Sequence, residues 1–141
     1  MKKILVSALV LSAGIAVGGG AAIGTSMAIS GDATMFAPDM AFVSTGEILT
    51  PLVFPDGRLA GYVKIEGQIE VPSSQTEDVT KRLPILLNAV NMRTFRTPMT
   101  SGPDGMLPNV ESFRKLLLDA AVETYGRDIV TRAVVTQASP V

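Results

Sequence analysis

The 141-residue chain has no histidine and no cysteine. It therefore lacks the commonest transition-metal ligands, general bases and thiol nucleophiles. Serine, threonine, lysine and carboxylates remain, and these can build serine–lysine or paired-carboxylate sites. The spacing that comes nearest is Lys64, Glu66 and Glu70. In a strand, residues two apart share a face, so these three would line one side of a sheet. The same spacing is what a solvated sheet face requires. Ser101-Gly102-Pro103-Asp104-Gly105 carries turn chemistry but neither GK[ST] nor GxGxxG, so it is not a phosphate cradle. Arg93 and Arg96 flank Phe95, a pattern that could anchor an acidic partner or simply end a helix with one phenylalanine in the core. No residue is assigned to catalysis, to a cofactor or to a metal.

The elements that would position these residues follow from periodicity. Phe42, Val43, Ile48, Leu49, Leu52 and Val53 form an extended region interrupted by Gly46 and Pro51, and Pro51 places it at an edge or a bend. Pro55-Asp56-Gly57 is a turn, with proline preset for its first central position. The clearest element is the strand after it. Leu59, Gly61, Val63, Ile65, Gly67, Ile69 and Val71 alternate with Ala60, Tyr62, Lys64, Glu66, Gln68 and Glu70, as in an antiparallel sheet covered on one side. Gly61 and Gly67 on the apolar face either admit a close helix or mark bulges.

Ser74 with Glu77 reads as a capping box opening a helix whose stripe is Val79, Leu83, Leu86, Leu87 and Val90. Pro84 inside that stripe implies a kink, or a short first turn with the main helix starting near it. The segment 93–109, with three prolines and two glycines, reads as a loop. Asn109 can cap a second helix with Val110, Phe113, Leu116, Leu117, Ala120, Ala121 and Thr124 on its core face, stopped by Gly126. Residues 128–137 are rich in β-branched side chains and read as a closing strand. The expected fold is α+β: an N-terminal transmembrane helix, then a small domain of order β-β-α-α-β with helices on one face of a mainly antiparallel sheet. The divisions are an anchor at 1–30, a linker at 31–41, the domain at 42–137 and a tail at 138–141.

The anchor rests on the N-terminus, where no charged side chain occurs between Lys3 and Asp32. A spanning segment needs roughly 20 apolar residues, whereas the core of a cleaved signal peptide runs about 7 to 15. Lys2 and Lys3 ahead of it, with Asp32, Asp39 and Glu47 behind, place the N-terminus in the cytoplasm and the domain outside the inner membrane. A cleaved signal remains open, because Gly18-Gly19-Gly20 would break the apolar run and Ser26-Met27-Ala28 resembles a cleavage site. Ala8, Ser12, Ala16, Gly20 and Gly24 recur every fourth residue, which on a helix gives a small-residue face for helix–helix contact. Such spacing is also common in membrane and signal helices without that role.

Without cysteine, an exported chain gains nothing from disulfides and cannot be acylated on cysteine. Setting Lys2 and Lys3 aside leaves ten of the 12 basic residues against 13 acidic ones, with no basic run, so nucleic acid is not an expected partner.

The series from the N-terminal Met-Lys-Lys through Pro55-Asp56-Gly57-Arg58-Leu59-Ala60, Glu70-Val71, Arg82-Leu83-Pro84 and Leu116-Leu117-Leu118-Asp119-Ala120-Ala121 to Gln137 resembles the flagellar basal-body-associated FliL family. The resemblance covers nearly the whole chain. It implies a single-pass inner-membrane protein with a stomatin-like periplasmic domain, self-associating around the ion-conducting stator units of the motor to support motility. It supplies no catalytic residues and no cofactor. The expected partners are membrane lipid, further copies of the chain and flagellar stator or basal-body proteins. The competing expectation is a signal-cleaved soluble periplasmic module that binds a small ligand or a protein.

Overall fold

The computed structural model describes residues 37–141. Within them, Asp39–Val141 forms one compact unit. Strand β1 (Met40–Val53) and strand β2 (Leu59–Pro72) make a long antiparallel hairpin, and β5 (Arg132–Pro140) pairs antiparallel with the other side of β2. The order β1-β2-β5 leaves β1 at an edge, where Pro51 removes a backbone donor at little cost. On β2, Val63, Ile65, Gly67, Ile69 and Val71 are buried, while Tyr62 and Lys64 on the opposite face are exposed.

The hairpin closes through Phe54-Pro55-Asp56-Gly57. Gly57 N donates to Phe54 O at 2.9 Å, Phe54 N donates to Arg58 O at 2.8 Å, and Gly57 takes the positive φ of 87° that the turn requires. Gly67 is the tightest point of the sheet. Thr45 and Gly46 of β1 both oppose it, and Thr136 of β5 is an extra residue beside it, so a bulge flanks it on each side. A Cβ on Gly67 would lie 2.6 Å from Leu117 Cδ2, so this position admits a close-packed helix as well as marking bulges.

Three α-helices cover the inner face: α1 (Thr76–Lys81), α2 (Leu83–Thr94) and α3 (Val110–Tyr125). Their buried side chains, Val79, Leu86, Val90, Phe113, Leu117, Ala120 and Ala121, join those of the sheet in one core. Asn109 caps α3 by accepting from Ser112 N at 3.0 Å. Gly126 ends the helix at φ 103°, ψ 156°, a conformation open essentially to glycine alone.

The expected fold is corrected in two respects. Among the described residues no helix is long and apolar enough to cross a membrane; the segment 1–30 lies outside them. The order is β-β-α-α-β-β-α-β, not β-β-α-α-β. One cause is Pro84, which stands in the first turn of α2: of the two expectations there, the short first turn with the main helix starting beside Pro84 holds, and the first expected helix is two, divided at Arg82. The other is the segment read as a loop, which contains a miniature hairpin of β3 (Thr100–Ser101) and β4 (Leu107–Pro108). Its turn places Gly102 at φ 79° and Gly105 at φ 63°.

The capping box is absent. Ser73–Gln75 form a 3-10 turn and α1 begins at Thr76, putting Glu77 too early in the helix to reach back to a Ser74 cap.

Candidate functional site

Lys64, Glu66 and Glu70 do share the uncovered face of β2, but each bonds to a different neighbour. Lys64 Nζ lies 3.4 Å from Glu47 Oε2, and Glu66 Oε1 accepts from the Ser44 hydroxyl at 2.9 Å. Glu70 Oε2 accepts from the Thr131 hydroxyl at 2.9 Å and lies 3.6 Å from Arg132 Nε. These are cross-strand pairs that hold the register of β1, β2 and β5. Glu47 stands opposite Glu66 in the register, so Lys64, Glu47, Glu66 and Ser44 adjoin on the exposed sheet face, and Glu70 with Thr131 and Arg132 lies further along β2. Among the described residues no group of three or more acidic side chains is placed to hold a metal.

The Arg93, Phe95, Arg96 cluster is divided by the phase of α2. Leu86, Val90 and Thr94 point into the core at four-residue intervals, so Phe95, one residue further, is turned about 100° away from it. Phe95 is accordingly 64% exposed and is not a core residue. Arg93, one residue short of Thr94, turns the other way and pairs with Glu123 of α3.

Phe95 and Arg96 instead join the tip of the β1–β2 hairpin to form a cleft of about 290 Å³. Buried Pro51 and half-buried Val53 and Phe54 belong to its hairpin side, with Leu59 and Tyr62 exposed at 54% and 44%. Pro98 joins Phe95 on the opposite side.

These walls are fixed from behind by the segment after α2. Met99 is fully buried; its N–H donates to Val53 O at 3.1 Å, and its carbonyl accepts from Asn109 N at 2.7 Å. The Phe54 ring packs where a side chain on Gly105 would stand, which explains why the turn of the miniature hairpin carries glycine there. The Ser101–Gly105 turn thus serves as a brace for the cleft.

Electrostatically the cleft is one-signed: Arg96 is the sole charged residue in its lining. The nearest carboxylate along the hairpin, Asp56, is already engaged, accepting from Arg58 N at 3.0 Å and from Arg58 Nε at 2.6 Å. The Arg58 hydrogen bond holds the Asp56 carboxyl below the usual carboxylate range. Arg58 itself lies over the Phe54 ring at 5.1 Å. Among the described residues Arg96 forms no ion pair.

Two further hollows run along α3, of about 670 Å³ beside Val122 and Arg127 and about 310 Å³ beside Ser112 and Lys115. Both are bounded by Arg93 and Asp119, and their charges are of mixed sign.

The sequence flags Phe95 and Arg96 through their spacing but not the rest of the cleft. Pro51, Leu59, Tyr62 and Pro98 read separately as strand or loop residues, and only the hairpin register brings them together. Ala8, Ser12, Ala16, Gly20 and Gly24 lie outside the described residues. No protein-family model matches the chain, and no curated protein and no solved structure matches it either.

Proposed function

We propose that this protein is a non-enzymatic accessory protein held at the inner membrane through its apolar N-terminal stretch, with its α+β unit in the periplasm docking onto another membrane assembly. The observation that carries this reading is the contrast between the two kinds of candidate site. The lysine and carboxylates that could do chemistry are engaged in exposed contacts along the sheet, while exposed apolar side chains gather around a braced cleft. Clustered apolar exposure of this kind marks interaction surfaces. The resemblance to the FliL family makes the flagellar basal body the assembly, with the stator as the contacted part, self-association of the chain and support of motility as the role.

The test is membrane fractionation of the full chain, protease treatment of spheroplasts and crosslinking. A membrane-bound, externally cleavable protein that co-isolates with an ion-conducting motor complex supports the reading. A released species beginning near Ile29 and isolated alone contradicts it and favours a soluble periplasmic binding module.

A further inference from the structure

We infer that the cleft at the hairpin tip receives an extended acidic segment of a partner protein, with an apolar anchor side chain seated between Phe95 and Tyr62 and a carboxylate bonded to Arg96. The inference rests on the docking reading above and names the surface and the chemistry it takes.

The shape points to a peptide. At about 290 Å³ and open to solvent, the cleft falls just short of the range of pockets that enclose small molecules, roughly 300 to 1,000 Å³. It has room for a few side chains. Its walls carry the aromatic rings of Phe54, Tyr62 and Phe95, as do grooves that take extended proline-rich segments. Pro51 and Pro98 lose little conformational entropy on contact, and the brace through Met99 and Gly105 fixes Phe54 and Val53 before anything binds.

The charge identifies the segment as acidic. Among the described residues Lys115 and Arg127 also lack ion-pair partners, but they border hollows that contain Asp119 or Glu123. Arg96 alone stands among uncharged walls, and Asp56 is occupied by Arg58. A carboxylate reaching Arg96 would bond beside apolar surface from which water is displaced, where a charge-assisted hydrogen bond gains strength.

The experiment uses the full chain in mild detergent and a short fluorescein-labelled peptide in which aspartates alternate with leucine, phenylalanine and proline. A second peptide has lysine at every aspartate. The full chain is expected to prefer the acidic peptide, Arg96→Glu to weaken that binding about tenfold or more and reverse the preference, and Phe95→Ser to weaken both. Lys115→Glu, outside the cleft lining, is expected to leave binding unchanged. Unaltered thermal melting would verify that the exposed-site variants remain folded. Equal affinity for the two peptides, no binding of either, or indifference to Arg96→Glu overturns the inference. If Arg96→Glu and Phe95→Ser leave co-isolation with the membrane assembly intact, the cleft assignment falls and docking stands on another face. If the wild-type chain does not co-isolate, the docking reading itself falls.

Discussion

Thr50 points its hydroxyl into the core with no hydrogen-bond partner, the one such buried side-chain atom among the described residues. An orphaned hydroxyl costs about 1 to 3 kcal/mol, so Thr50→Val, of similar volume, is expected to stabilise the fold by about 1 kcal/mol in urea unfolding. Gly67 works in the opposite sense. Its missing side chain leaves room for Leu117, and Gly67→Ala is expected to destabilise by roughly 1 to 3 kcal/mol through overpacking. Tyr125 donates its buried hydroxyl to Val79 O at 2.9 Å, and burial raises its pKa above the ordinary 10.0, opposed by Arg82 over the ring. The unfolded chain therefore releases this proton first as pH rises. The stabilisation is complete below about pH 10 and disappears as pH rises through the folded pKa. Tyr125→Phe should lower stability at neutral pH by about 1 kcal/mol yet show a shallower loss between neutral and strongly alkaline pH. Equal alkaline slopes in the two proteins would refute this.

At the level of elements, what is legible in the sequence is whatever local chemistry decides. The alternation from Val63 to Val71, the Pro55-Asp56-Gly57 turn and the Asn109 cap all follow from neighbouring residues alone, whereas Leu59, which the same pattern places on the covered face, is exposed near the hairpin tip. Asn109→Ala should cost about 1 kcal/mol, read as a lower melting temperature, by freeing Ser112 N. Features held by distant contacts are not visible in this way. Strands β3 and β4 have two residues each and no periodicity of their own; Met99 against Val53 and Phe54 against Gly105 hold them in place. Phe95 shows the same limit. Its type suggests core, and only the phase set by Leu86, Val90 and Thr94 turns it outward. Met99→Ala should therefore do more than leave a cavity costing about 2 to 5 kcal/mol. Amide exchange at Val53, Phe54 and residues 100–108 should accelerate more than exchange in α3.

For the whole molecule, the placing of the cleft on the unit decides which surface is offered to a partner. The hairpin tip lies at the end of β1 opposite Asp39, a distance of roughly 45 Å for a 14-residue strand. The cleft is thus displaced from the place where the chain enters this unit. The candidate site was only partly legible because its walls come from two separated stretches, 51–62 and 95–98, joined by register and by the Met99 brace.

The most direct measurement replaces Phe95 with a photoreactive amino acid in the full chain, irradiates native membranes and sequences the attached peptides. The account expects adducts within one membrane complex, on segments where Asp or Glu adjoins an apolar residue, and their loss when Arg96→Glu is added. Adducts scattered over unrelated proteins and indifferent to Arg96→Glu, or no adducts at position 95 while a photoreactive residue at Lys115 captures the complex, would contradict it.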